Sequence, residues 1–154
     1  MDSRRIERVV RNLVMNAIEH GEGNPIDISV AGNASAVALS VRDRGIGMSP
    51  EASTRVFDRF WRADPARART TGGSGLGLSI ALEDAHLHGG WLQAWGQPGR
   101  GSQFRLTVPR IAGDGIDWSP IPLEPEDARR PRRGSGSQPL VESLSRPGGD
   151  HEAE

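Results

Sequence analysis

Thr71-Gly72-Gly73-Ser74-Gly75-Leu76-Gly77-Leu78-Ser79 packs four glycines into six positions and runs straight into an apolar, helix-like segment. A backbone without Cβ atoms reaches positive φ and brings its N–H groups against a ligand, and the start of the following helix adds partial positive charge where an anion can sit. The ligand this suits is a phosphate. The usual phosphate loops do not fit: a Walker loop needs Gly-Lys-Ser/Thr, and all 19 basic residues here are Arg. A dinucleotide fingerprint needs a third glycine where this chain has Leu78. A flexible surface turn is the alternative for the stretch taken alone, so the flanking sequence decides.

Immediately upstream, Pro65 to Thr71 is rich in Arg, Ala and Thr without periodicity, a loop feeding the glycines. Before it, Phe57, Phe60 and Trp61 fall at i, i+3 and i+4, which predicts that the two Phe anchor this segment to the core. Arg62, beside the glycine loop, suits a phosphate. Ser49-Pro50-Glu51 reads as the start of a short helix, with Ser as cap. Downstream, Leu78 to Leu87 reads as a helix closed by Gly89-Gly90. Trp91 to Trp95 and Ser102 to Val108 pattern as strands joined by a turn at residues 97–101. His86 and His88 are spaced wrongly for one helical face, so a solvated or capping role outweighs a metal site.

The N-terminal part supplies candidate partners for the phosphates. Ile6, Val9, Val10, Leu13, Val14, Ala17 and Ile18 recur at helical spacing, predicting one helix over residues 2–20 with Asp2 or Ser3 as cap and Gly21 as stop. Off that stripe, Asn12, Asn16 and His20 lie along one flank. Side-chain amides can give oxygen ligands to Mg²⁺, although a pair of solvated amides is the plainer reading of this helix alone. Ile26, Ile28 and Val30, then Val37, Leu39 and Val41, alternate with polar positions and predict a hairpin with one buried face. It ends in Arg42-Asp43-Arg44-Gly45-Ile46-Gly47-Met48. A carboxylate at a strand end accepts and cannot donate, so its partner is an amine such as that of adenine, unless the segment is an ordinary Asp-rich turn.

Composition divides the chain at residue 111. Residues 1–111 hold 14 Arg against 11 acidic residues and enough apolar side chains for a core, whereas 112–154 hold 5 against 9 and are dominated by Pro, Gly, Ser, Arg and acids. The expected organisation is one domain over 1–111 and a disordered tail over 112–154, in which Arg129-Arg130-Pro131-Arg132-Arg133 and His151-Glu152 have no structured context. Neither balance marks a nucleic-acid binder. The absence of cysteine excludes disulfides and thiolate metal sites, and neither a membrane-spanning run nor a signal peptide is visible. A cytoplasmic protein is expected.

Four blocks in this order, Asn12-Leu13-Val14-Met15-Asn16-Ala17, Asp43-Arg44-Gly45-Ile46-Gly47-Met48, Phe57-Asp58-Arg59-Phe60 and Gly73-Ser74-Gly75-Leu76-Gly77-Leu78, resemble the N, G1, F and G2 boxes of sensor histidine kinases. These kinases sit within the gyrase, Hsp90, histidine kinase and MutL ATPase superfamily. The likeness covers about residues 2–110 and leans toward an actinobacterial type. It implies a two-layer α/β sandwich of the Bergerat ATPase type, with helices on one face of a mixed sheet. ATP would lie between the first helix, the glycine loops and a lid spanning about 48–72. Asn16 would be the Mg²⁺ ligand and Asn12 would lie near the phosphates. Asp43 would accept from the adenine amine, with His20, Gly45, Ile46, Gly47, Phe57 and Phe60 around the nucleotide. Gly73, Ser74, Gly75, Leu76 and Gly77 would fold over the phosphates, and Arg62 would reach the γ-phosphate.

Superfamily members that hydrolyse ATP carry a Glu where this chain has Asn12. A neutral amide cannot take a proton from water, which favours transfer to a protein histidine. Two features depart from the family pattern. Glu19 stands where many kinases have Lys or Arg, either facing away or helping to hold the metal. The chain also begins almost at the first helix, and reads as a C-terminal fragment without the family's N-terminal strands. The implied partners are a histidine-bearing dimerisation domain and a response regulator, with no nucleic acid and no direct membrane contact. An anti-sigma-factor-type serine kinase and a non-catalytic nucleotide-binding remnant are the alternatives.

Overall fold

A computed structural model describes residues 1–62 and 75–129. Helix α1 (Ser3–His20) starts where Asp2 Oδ1 accepts the backbone N–H groups of Arg4 and Arg5, and it buries Val9, Leu13 and Ala17. Strands β1 (Asp27–Gly32) and β2 (Ala36–Asp43) form the expected hairpin. Helix α2 (Pro50–Arg55) is capped by Ser49 Oγ, which accepts the Ala52 N–H at 3.1 Å. Helix α3 (Gly77–Leu87) ends at Gly89, whose φ of 68° lets the Gly90 N–H return to the Ala85 carbonyl. Strands β3 (Trp91–Gln97) and β4 (Gly101–Pro109) make a second hairpin, and a short helix α4 (Glu126–Arg129) follows.

The sheet order is β1-β2-β4-β3. Every pairing among the described residues is antiparallel, where the resemblance implies a mixed sheet. The reason is local: β2 and β3 run the same way, but β4 returns through the turn at residues 97–101 into the gap between them. Helices α1 and α3 pack on one face, closing a core of Val9, Leu13, Ala17, Val41, Ala81, Ala85, Leu92, Phe104, Leu106 and Val108. Burying such side chains contributes about 1.5–3 kcal/mol for each large one. An ion-pair clamp fixes the two helices: the buried Asp84 carboxylate takes Arg8 Nε and Nη2 at 2.7 Å each and Arg5 Nη1 at 3.0 Å. His88 joins the same corner, with Nδ1 2.7 Å from the Asp84 carbonyl and Nε2 accepting the Asp2 N–H. Both ring nitrogens thus engage backbone groups at helix ends, a capping role.

Three expectations are corrected. Strand β1 does not bury a full apolar face, because Ile28 and Val30 lie on the edge strand beyond the reach of α1 and are exposed. Phe60 is not a core anchor: the helix ends at Arg55, and a φ of 61° at Phe60 turns its side chain out to 71% exposure. Phe57 does meet the core, edge-on to Phe104 with ring centroids 6.1 Å apart.

The third correction concerns the tail. Residues 112–129 run back along β4 over the face of the sheet that the helices leave open. Thr107 Oγ1 donates to Ser119 Oγ at 2.8 Å, Arg105 Nη1 donates to the Ile121 carbonyl, and Gln103 Nε2 donates to the carbonyls of Pro122 and Leu123 at 3.0 and 2.9 Å. Under this strap Ala36, Ala38, Ser40, Arg42, Gln103, Arg105 and Thr107 are buried. The polar side chains of this face need partners once buried, and the strap supplies carbonyls to Gln103 and Arg105 and a hydroxyl to Thr107. Such carbonyl contacts require no side-chain periodicity, so the pattern along the strap gives no sign of them. Residues 130–154 lie outside the described residues.

Candidate functional site

One flank of α1 opens onto a cavity of about 300 Å³ lined by Asn12, Met15, Asn16, Glu19 and His20. Opposite stand Ile46, Gly47 and Met48 from the turn after β2, and Gly75, Gly77 and Leu78 at the start of α3. Val56, Trp61 and Arg62 close a third side, with Ser102 and Phe104 of β4 completing the wall. The helical flank predicted from Asn12, Asn16 and His20 is therefore the cavity wall. Met15 and Glu19 belong to the same stripe at i+3 and i+7 from Asn12, a signal present in the spacing. Trp61 and Ser102 had no such signal. Trp61 reaches the cavity because the chain leaves its helical path at residue 56, and Ser102 because it pairs across the sheet with Asp43.

The glycines of the turn after β2 answer to backbone sterics. A Cβ on Gly45 would lie 1.7 Å from the His20 carbonyl oxygen, and one on Gly47, at φ 73°, would lie 1.9 Å from that of Gln97. The turn thus threads between the end of α1 and the β3–β4 hairpin, held by Ile46 N–H to the His20 carbonyl and Gly99 N–H to the Ile46 carbonyl.

Asp43 stands behind the wall, 1% exposed. Its Oδ1 accepts the Gly45 N–H at 3.0 Å, while Oδ2 is buried with no hydrogen-bond partner among the described residues. Burial pushes this carboxyl above the ordinary carboxylate range. The Gly45 N–H, the Arg42 charge, the Ser102 N–H and His20 pull the other way without cancelling it. An unsatisfied buried carboxylate oxygen is costly, so it marks a place for a donor.

At the far end of the cavity Asn12 Nδ2 donates to the Gly77 carbonyl at 2.9 Å, tying α1 to the glycine loop. Leu76 precedes α3 and offers no capping side chain, so the first N–H groups of that helix have no such partner among the described residues. The Phe60 N–H donates to the Gly75 carbonyl at 3.1 Å, pinning the two ends of the segment between them. Arg62 Nη1 lies 3.9 Å from Glu19 Oε1, so Glu19 faces the cavity and meets a guanidinium there. Of the other predicted site residues, Gly45 acts through Asp43. Phe57, Phe60 and Leu76 do not line the cavity, and Gly73 and Ser74 lie outside the described residues.

A family model described as histidine kinase-, DNA gyrase B- and HSP90-like ATPase matches residues 1–112. The sensor histidine kinase MtrB of Mycolicibacterium paratuberculosis is 53% identical over 125 residues, covering 81% of this chain and 22% of the relative. The sensor-like histidine kinase SenX3 of Mycobacterium tuberculosis is 40% identical over 146 residues, covering 94% of this chain and 35% of the relative. Among solved structures, the mycobacterial sensor histidine kinase MprB superposes with a TM-score of 0.59 at 29% identity, over 71% of this chain and 72% of that one. Full-length ShkA in complex with AMPPNP gives the same TM-score of 0.59 at 28% identity, over 68% of this chain and 21% of that one. The chain therefore spans less than a quarter of the length of MtrB and about a third of that of SenX3.

Proposed function

Because the chain belongs to the histidine kinase-, DNA gyrase B- and HSP90-like ATPases, we propose that it is the ATP-binding catalytic domain of a two-component sensor histidine kinase. It transfers the γ-phosphate of Mg-ATP to a histidine on a dimerisation domain outside this chain, from which the phosphoryl group passes to a response regulator. We take residues 1–129 as that domain, the strap included.

The observation that carries the nucleotide reading is Asp43 Oδ2, a buried acceptor with no partner among the described residues, on a strand residue whose cross-strand partner Ser102 lines the cavity. The exocyclic amine of adenine is the donor it lacks. The start of α3, which no side chain caps among the described residues, with Gly75 and Gly77 at the cavity, suits the phosphates. Asn16 would hold Mg²⁺ through its amide oxygen, with the Glu19 carboxylate on the same helical flank; this is the oxygen chemistry the ion prefers. When bound, the metal neutralises charge on the phosphate oxygens.

Arg62, paired with Glu19 across the cavity, is the group suited to charge on the transferring γ-phosphoryl. Asn12 holds the glycine loop and, being a neutral amide, offers water no general base. Positioning and charge neutralisation are what phosphoryl transfer requires of a protein, and these residues supply both. No helix among the described residues is long and apolar enough to cross a membrane. We infer a cytoplasmic setting for this domain, at the membrane surface when it is part of a sensor.

The test is to mix the chain with a separately purified histidine-bearing dimerisation domain and ATP labelled at the γ-phosphate. Acid-labile, base-stable label on that domain, abolished by Asn16→Ala, is the expected result. Bound ATP without transfer would establish a non-catalytic nucleotide module instead. Label on serine would establish a serine kinase.

A further inference from the structure

We propose that α4 is a latch on the outer face of the sheet, and that Asp127 positions Asp43 for base recognition by holding Arg42. The inference rests on the nucleotide reading above and adds to it a specificity-determining residue in a part of the chain with no contact to the cavity.

Arg42 immediately precedes Asp43 in β2 and points to the opposite face, where it is 4% exposed. Its guanidinium stacks over the Trp95 ring, 5.2 Å from the centroid. Its Nη1 donates to the Asp43 carbonyl and, at 3.4 Å, to the Ser102 carbonyl, so it grips the backbone of the register pair that flanks the base site. The remaining donors face Asp127: Nη2 meets Oδ2 at 3.0 Å and Nε meets Oδ1 at 3.4 Å. Arg44, on the other side of Asp43, has Nε 3.8 Å from the same Oδ2 and Nη2 on Asp27. One carboxylate thus bridges the two arginines that bracket Asp43.

A second tether runs through the neighbouring turn. Arg100 Nη1 donates to the Ala128 carbonyl at 2.6 Å, and the adjacent Gly99 N–H donates to the Ile46 carbonyl at 2.9 Å. The last turn of the strap therefore holds both boundaries of the base site, the end of β2 and the hairpin against which Gly47 is packed. A forked guanidinium pair fixes direction as well as distance, which an apolar contact in this place would not do. Asp127 is half-exposed on a four-residue helix, outside the core, so it can be changed without creating a cavity.

The experiment measures dissociation constants of the full chain for ATP and for purine riboside triphosphate, which lacks the exocyclic amine. Wild type, Asp127→Asn, Asp127→Glu, Asp43→Asn and the double variant Asp43→Asn with Asp127→Asn are compared. Expected is a wild-type preference for ATP of about tenfold or more. Asp127→Asn should reduce that preference by about threefold or more through weaker ATP binding alone, with purine riboside triphosphate unchanged. Asp127→Glu should keep the preference, and Asp127→Asn should add nothing in the Asp43→Asn background. Equal weakening of both nucleotides, or no change in either, overturns the latch. A wild type that binds both nucleotides equally overturns the role of Asp43 itself, and the latch with it.

Discussion

Replacing Asp43 by Asn separates what this residue does for binding from what it does for stability. Asp43 is 1% exposed, with Oδ1 on the Gly45 N–H at 3.0 Å and Oδ2 without a partner among the described residues. In the variant the amide oxygen keeps Gly45, and an NH₂ group replaces Oδ2, turning an acceptor into a donor that faces the adenine amine. A hydrogen bond to a charged group contributes about 1.5–3 kcal/mol, so ATP should bind about 10- to 150-fold more weakly. Stability should move the other way. Burial raises the Asp43 carboxyl, so its stabilising contribution is complete below the ordinary carboxylate range and is lost as pH rises through the raised value. Above that raised value the ionised group opposes folding, a cost that Asn removes. Calorimetric titration with ATP, and thermal unfolding without it between pH 4 and 8, read the two effects. The variant should unfold at an equal or higher temperature at neutral pH, with the gap narrowing on acidification. An ATP affinity within twofold of wild type, or a variant clearly less stable at pH 7, would refute this reasoning.

Two further outcomes are expected. Gly45→Ala forces a Cβ to within 1.7 Å of the His20 carbonyl oxygen and 2.7 Å of the Gly21 Cα, both backbone atoms that no rotamer change can move. It should lose about 1–3 kcal/mol or more in urea unfolding together with ATP binding, and an unchanged midpoint would contradict the threading of this turn. For Asp84, desolvation works against the charged form, but the hydrogen bonds from Arg8 and Arg5 outweigh it and hold the carboxyl below its ordinary range. The stability it contributes is present above the unfolded-state value and is lost as pH falls through the depressed one. Asp84→Asn should therefore destabilise at pH 7 by about 1.5–3 kcal/mol or less, since both arginines are about half exposed, and the difference should close in acid. A difference independent of pH would remove the clamp as its cause.

What could be read in advance follows the range of the interactions. The stripe of α1, the Ser49 cap and the Gly89-Gly90 stop act within a turn or two of helix, and the spacing announced them. Asn12 and Asn16 could be assigned to one flank for the same reason. Phe60 misled because its spacing was helical while its backbone is left-handed, a local choice that goes with its N–H contact to the distant Gly75 carbonyl. Much of the strap was unreadable because Gln103, Arg105 and Arg100 meet it at carbonyl oxygens, which every residue possesses. Ser102 enters the site through strand register, and Asp127 reaches Arg42 across 85 positions. Neither relation leaves a mark on the nearby sequence.

The pairing of β2 with β4 divides the molecule into two matching modules, each a helix followed by a hairpin: α1-β1-β2 and α3-β3-β4. Their seam joins Ala36 to Pro109 and Asp43 to Ser102, partners far apart along the chain, so closing it costs more loop entropy than closing either hairpin. The candidate site straddles that seam, taking Asn12, Asn16 and Asp43 from the first module and Gly75, Gly77 and Ser102 from the second. A nucleotide held there acts as a clasp between the halves.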